Sequence, residues 1–250
     1  MYGNALHCHT FCRNFFWVEM HKYKNIFFDL DDTLYDFSTA SRESFLEAYE
    51  LLGYERFFDS FEQFMHIYEP RNKRLWQLYG EGKITKEELN KIRYSYPLEV
   101  VGVYDSSIAE RFCKEVLGRI PTKSRLVEGA IDVLEYLSPR YNLYILSNGF
   151  KELQSHKMVT SGIMRYFRKL VLSDDIGVNK PRPELFRYAL ATTGSLLEES
   201  LMIGDMFETD IVGAANVGMH QMFFNAKAVN VLPFEPTYVI HKLEEIKGIL

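Results

Sequence analysis

The sequence predicts an α/β fold, a doubly wound and mostly parallel sheet with an all-helical cap inserted after its first strand. Three observations lead there. Short apolar runs recur between helical patterns, as buried parallel strands do: Ile26-Phe27-Phe28, Tyr144-Ile145-Leu146, Leu170-Val171-Leu172 and Leu201-Met202-Ile203. After Asp36 the periodicity is helical for almost ninety residues with no strand pattern. Each apolar run also leads into residues able to handle phosphate, and in such sheets ligands bind beyond the carboxyl ends of the strands.

In chain order, 24–29 reads as the first strand. The segment 38–52 sets Phe45, Leu46, Tyr49 and Leu52 on one helical stripe and is stopped by Gly53. A second helix over 61–79 carries Phe64, Met65, Tyr68, Leu75 and Leu78. Glu81-Gly82 makes a turn, and Thr85 with Glu88 forms a capping box opening a helix that ends near Tyr96, before Pro97. A fourth helix, 106–117, is closed by Gly118. Alternation returns near residue 125 with helix 128–137, strand 142–147, helix 150–161, strand 169–172 and helix 183–193. Strand 201–204, helix 208–217, strand 221–224, an edge strand 237–240 and a short terminal helix follow. The expected division is a core of 21–36 plus 125–250 and a cap of 37–124 that lies over the strand ends as a lid.

Bulk composition narrows the function classes. The chain has 250 residues, 47% hydrophobic and 25% charged, enough for one large domain or a core with an insert. A net charge of −5 without a basic stripe argues against a nucleic-acid polymer as partner. Three cysteines, Cys8, Cys12 and Cys113, are too few for a disulfide framework and point to a reducing, cytoplasmic setting. No apolar stretch approaches the roughly 18 residues of a membrane helix, so no membrane partner is expected. A monomer or homodimer is expected. Residues 1–20 show no clear periodicity and read as an extension, disordered or lying upstream of a true start at Met20. His7, Cys8, His9 and Cys12 lack the second pair that a zinc finger needs.

The strand ends carry the chemistry. Asp29 and Asp31 are two apart, so on an extended segment both carboxylates face one side. Asp205 and Asp210 raise the site to three or four acids, which cannot all stay ionised without a cation. A hard divalent ion with oxygen ligands answers that need, and Mg²⁺ is usual where phosphate completes the shell. Lys180 adds one positive charge, while Ser147 and the backbone N–H groups around Asn148 and Gly149 can donate to phosphoryl oxygens. Together these groups suit phosphoryl transfer through a carboxylate nucleophile. Asp32 reads as a solvated loop residue, and Asp174 and Asp175, after strand 169–172, either reach the metal region or serve as capping or solvated acids.

Asp29-Leu30-Asp31-Asp32-Thr33-Leu34, Ser147-Asn148-Gly149, Lys180-Pro181-Arg182-Pro183 and Gly204-Asp205-(x)4-Asp210 resemble, in order, the four motifs of the haloacid dehalogenase-like (HAD) superfamily. The helical insert resembles the cap of its C1 group. The resemblance covers roughly residues 22–248 and implies roles. Asp29 would attack phosphorus, and Asp31 would protonate the leaving oxygen and then deprotonate the hydrolytic water. The metal ligands implied are Asp29, the Asp31 backbone carbonyl and Asp205, with Asp210 beside them or as an alternate ligand. Ser147 and Lys180 would hold the phosphoryl group, and Thr33 would steady the loop. The dehalogenase branch needs no acid two residues after the nucleophile, so Asp31 argues against it; phosphosugar mutases share both cap class and acid.

Leu146-Ser147-Asn148-Gly149-Phe150-Lys151-Glu152-Leu153-Gln154 resembles the corresponding stretch of bacterial pyrimidine 5′-nucleotidases, and Leu75 to Thr85 with Arg93 resembles their cap. This implies a nucleoside 5′-monophosphate as substrate. A pyrimidine needs a stacking face and a hydrogen-bond partner, and Phe37, Tyr68, Asn72, Trp76 and Phe150 are the candidates. Phosphatases of phosphoglycolate or sugar phosphates remain open. So does a phosphoaccepting signalling domain, although those are about half this length and lack the cap.

Overall fold

Six strands, β1 (Asn25–Phe28), β2 (Asn142–Ser147), β3 (Lys169–Leu172), β4 (Ser200–Gly204), β5 (His220–Phe224) and β6 (Tyr238–Ile240), form one sheet in the computed structural model, which describes residues 22–250. Their order is β3-β2-β1-β4-β5-β6 and every pairing is parallel. The expectations for residues 1–20 lie outside the described residues. The expected edge strand is β6.

Both faces of the sheet are buried, which is why its strands are near-continuous apolar runs. In β1, Ile26 and Phe28 pack into one core with Leu143, Ile145, Leu201 and Ile203. Phe27 turns to the opposite core with Tyr144, Leu146, Met202 and Phe186. The strand order reverses at β1, the switch point where such sheets open a crevice. Register sets Phe28 opposite both Ile145 and Ile203, so the residues after β1 and β4 and the end of β2 emerge beside one another.

The insert after β1 comprises α1 (Phe37–Leu51), α2 (Phe61–Gly80), α3 (Lys86–Val100) and α4 (Ser106–Arg119). Its helices start on side-chain caps: Asp36 accepts from Thr39 N, Ser60 from Gln63 N, and Thr85 with Glu88 forms the expected capping box. Its own core is aromatic, with Phe45, Tyr49, Tyr54, Phe64, Tyr68, Tyr94 and Phe112 buried together. Ring centroids lie 4.7 Å apart for Phe45 and Tyr68 and 4.5 Å for Tyr54 and Phe112. Such pairs add about 0.5–1.5 kcal/mol each beyond area burial.

Two helix ends of the insert differ from the sequence expectation. α3 does not stop before Pro97 but runs through it to Val100. A proline inside a helix costs about 3 kcal/mol, and here the burial of Tyr94, Pro97 and Leu98 offsets it. Gly118 does not close α4, because it keeps an ordinary backbone angle and the helix passes to Arg119 and a 3₁₀ turn, Ile120–Lys123.

The remaining helices, α5 (Ala130–Leu137), α6 (Lys151–Thr160), α7 (Pro183–Thr193) and α8 (Val212–Val217), cover the sheet. Where one helix over 208–217 is expected, a π turn (Phe207–Ile211) precedes α8 and carries Asp210 inward. Single π turns of this kind occur often at functional sites. The expected terminal helix is a 3₁₀ segment, Leu243–Gly248. Among the described residues, no helix is long and apolar enough to cross a membrane.

Candidate active site

Asp29 follows the last residue of the central strand, its N–H donating to the Ile203 carbonyl of β4 at 2.9 Å. Lys180 reaches it from the segment before α7, with Nζ 2.6 Å from Asp29 Oδ1 and 2.7 Å from Asp210 Oδ1. A third bond from Lys180 Nζ, 2.8 Å to the Leu146 carbonyl, fixes the ammonium under the end of β2. Asn148 clamps the same lysine's backbone, accepting from Lys180 N at 2.7 Å and donating to Lys180 O at 3.1 Å.

Asp210 is fully buried, and its second oxygen accepts from Met206 N at 3.1 Å. Asp205 follows β4 and is bonded to Thr33 in the loop after β1. Carboxylate oxygens of Asp29, Asp205 and Asp210 all lie within 4.8 Å of one another.

Three carboxylates thus share one ammonium, and the titration of the site reflects the excess negative charge. Burial pushes the Asp29 carboxyl well above the usual range. The Lys180 ammonium opposes that push, and Asp210, Asp205 and Asp31 add to it. Asp205 is pushed up to about 7, first by burial and then by Asp210 and Asp32, with the Thr33 bond and Lys180 opposing. For Lys180, burial favours the neutral amine, but Asp210 and Asp29 outweigh it and hold its pKa above the ordinary lysine value. A hard divalent cation fits this donor set, because it needs clustered oxygens with surplus negative charge. Asp29, Asp205 and Asp210 supply both.

Asp31, two residues on, faces a different set of partners. Its Oδ1 lies 2.6 Å from Lys157 Nζ, and its Oδ2 accepts from Gln154 Nε2 at 3.0 Å. Ser147, at the end of β2, accepts from the same Gln154 amide at 2.7 Å and from Gly149 N at 3.1 Å. The bare backbone of Gly149 makes this possible, since a Cβ there would stand 2.2 Å from Gln154 Nε2.

A family model described as haloacid dehalogenase-like hydrolase matches residues 23–218. The chain belongs to that family. The HAD-like hydrolase is 31% identical over 233 residues to the pyrimidine 5′-nucleotidase YjjG of Escherichia coli, covering 92% of this chain and 98% of that one. It is 30% identical over 229 residues to the pyrimidine 5′-nucleotidase PynA of Streptococcus pneumoniae, covering 90% and 93%. Its fold matches that of YfnB from Bacillus subtilis with a TM-score of 0.79 at 28% identity, covering 92% of this chain and 99% of that one. The YfnB crystal structure is of a magnesium-bound form that reveals interdomain movement.

The hydrolase gathers its motif residues beyond the carboxyl ends of β1, β2 and β4 and distributes the cap candidates differently. Trp76 of α2 stacks on Phe150 at 5.2 Å between centroids, joining cap to core just after Ser147-Asn148-Gly149. Asn72 lies one turn before Trp76, its Oδ1 buried without a hydrogen-bond partner among the described residues. Phe37 begins α1, with Lys157 Nζ 4.2 Å from its ring centroid. Tyr68 sits among the aromatic rings of the cap core, 5% exposed.

Asp32 adopts a left-handed backbone (φ 58°) and accepts from Ser38 N and Oγ, tying the loop after β1 to α1. Asp174 accepts from Tyr79 Oη, Lys86 Nζ and Lys151 N, a cap-to-core contact, and Asp175 accepts from Leu172 N. Sequence reasoning missed Lys157. The signal was a lysine three residues after Gln154 and beside Met158, on the helical stripe that faces the sheet.

Proposed function

We propose that this chain is a Mg²⁺-dependent phosphomonoesterase working through an aspartyl-phosphate at Asp29, with pyrimidine nucleoside 5′-monophosphates as its substrate class. One observation carries the reading: the Asp29 carboxylate stands at the central strand end, 2.6 Å from Lys180 and within the acid cluster, with Asp31 two residues on. The named activities of YjjG and PynA support the nucleotide preference.

In the first half-reaction an Asp29 carboxylate oxygen attacks phosphorus and a phosphorus–oxygen bond forms. The ester bond breaks, its electron pair goes to the leaving oxygen, and that oxygen takes a proton from the Asp31 carboxyl. In the second, Asp31 takes a proton from water as the water oxygen attacks phosphorus. The Asp29–phosphorus bond breaks, inorganic phosphate leaves, and both aspartates return to their starting states. The Ser147 hydroxyl orients a phosphoryl oxygen, and as Asp29 attacks, the Lys180 donor that held its carboxylate would pass to another phosphoryl oxygen, while Lys180 offsets charge at Asp29. A Mg²⁺ ion held by Asp29, Asp205 and the Asp31 backbone carbonyl, with Asp210 at hand, would neutralise phosphate charge as a Lewis acid.

The nucleoside would extend toward the cap. Phe150, expected from sequence to face the base, is instead buried between Trp76, Tyr79 and Lys86, so the half-buried Trp76 is the ring left to border a base at the cap–core boundary. Asn72 Oδ1, buried and without a hydrogen-bond partner among the described residues, would become an acceptor for an N–H on a pyrimidine edge on opening of the cap. Closure of the cap would exclude water from the transferring phosphoryl group. A cytoplasmic setting suits such a nucleotide phosphatase.

The test is phosphate release from a panel of nucleotides and phosphosugars, with and without Mg²⁺. UMP, dUMP and dTMP should head the panel. Phosphoglycolate or hexose phosphates at the top would move the enzyme to another substrate class, and isomer conversion without phosphate release would make it a mutase.

A further inference from the structure

Lys157 is fully buried on α6. Its ammonium lies 4.2 Å from the Phe37 ring centroid and 5.4 Å from that of Tyr35. Among the described residues its one ion-pair partner is Asp31. A buried ammonium is costly to desolvate, so it persists where its one strong contact is well made. Three residues earlier on the same helix face, Gln154 is also fully buried. Its amide nitrogen bridges Asp31 Oδ2 and Ser147 Oγ, at 3.0 and 2.7 Å. Both Asp31 oxygens are therefore held from one helix, and the same helix holds the phosphate-binding hydroxyl.

We propose that Lys157 and Gln154 are positioning residues that fix the plane of the Asp31 carboxyl and lock it to Ser147, so that proton donor and phosphate-binding group keep one geometry. The inference rests on the role of Asp31 given under the proposed function. A proton delivered to the leaving oxygen matters in proportion to that oxygen's basicity. An alkoxide cannot leave without it, whereas p-nitrophenolate can. Misdirecting the Asp31 carboxyl should therefore penalise alkyl esters more than an aryl ester. A general loss of folding or of phosphate binding penalises both alike.

The experiment compares kcat/KM, which reports steps up to phosphorylation of Asp29, for alkyl phosphates and p-nitrophenyl phosphate at saturating Mg²⁺. Wild type, Lys157→Met, Lys157→Arg and Gln154→Met are compared, with melting temperatures alongside. Lys157→Met is expected to lower the alkyl value by about 10²-fold and the alkyl-to-aryl ratio by about tenfold or more, with Lys157→Arg restoring most of the ratio. An unchanged ratio in Lys157→Met, with or without a uniform loss, overturns the proposal. If that variant does not fold, the ratio in Gln154→Met decides in the same way. A wild type inactive on both ester classes would instead sink the phosphatase reading itself, and this inference with it.

Discussion

Thr33 and Asp205 are bonded to each other twice: the Thr33 hydroxyl donates to Asp205 Oδ1 at 3.0 Å and accepts from Asp205 N at 3.0 Å. The loop after β1 is thereby stitched to the end of β4, and the carboxylate is aimed at Asp29 and Asp210. Thr33→Val keeps the shape and removes both bonds. Losing such a support should cost about 10–100-fold in Mg²⁺ affinity, measurable by titration calorimetry, and about 1–3 kcal/mol of stability from the orphaned N–H. Unchanged affinity would show that Asp205 is aimed by something else.

Asp31→Asn should slow turnover by roughly 10²–10⁴-fold, the range for losing a general acid–base, and leave Mg²⁺ affinity nearly intact. The side chain turns to Lys157 and Gln154 rather than to the acid cluster, so under the proposed mechanism a bound ion would meet only its backbone carbonyl. A comparable fall in metal affinity would contradict this division of labour.

The metal-free protein should lose stability as pH rises. Asp205 is raised from its ordinary 3.8 to about 7, so between those values the folded state binds more protons than the unfolded chain. Stability then falls with pH across that window, and the raised Asp29 carboxyl adds to the fall in the same direction. Mg²⁺ binds the deprotonated carboxylate, so its stabilising effect should grow over the same range. Thermal melts from pH 5 to 8, with and without Mg²⁺, check both slopes. A metal effect independent of pH would show that Asp205 is not a titrating ligand.

Gly204→Ala should disrupt the acid cluster from within. A Cβ there would stand 2.3 Å from Asp210 Oδ2 and 2.5 Å from its Cγ. Overpacking of this kind costs about 1–3 kcal/mol, and here it would also push Asp210 off Lys180. Activity should fall further than the melting temperature alone would explain, as paired activity and melting measurements would reveal. Retained turnover at full melting temperature would mean that the strand end yields without moving Asp210.

The sheet and the four strand-end motifs were legible because apolar runs and polar termini are local signals. Ile26-Phe27-Phe28 followed by Asp29 needs no partner to be read, and the capping box at Thr85 and Glu88 is equally local. What escaped depends on packing. Pro97 continues a helix because the cap core holds its neighbours, which no rule about proline contains. Lys157 looks like an ordinary surface lysine until α6 is laid on the sheet and Asp31 comes to meet it. Tyr68 and Trp76 are both helix aromatics in sequence, yet one turns into the cap core and the other onto Phe150.

The proposed mechanism stands or falls on a covalent intermediate at Asp29, which chemical trapping detects. The enzyme, turning over a phosphomonoester, is quenched and reduced with borohydride, which converts an aspartyl-phosphate to homoserine, and the peptide around position 29 is sequenced by mass spectrometry. Homoserine is expected at position 29 when substrate is present and aspartate when it is absent. Turnover that proceeds with aspartate intact at position 29, or with the reduced residue elsewhere, would contradict the proposed mechanism.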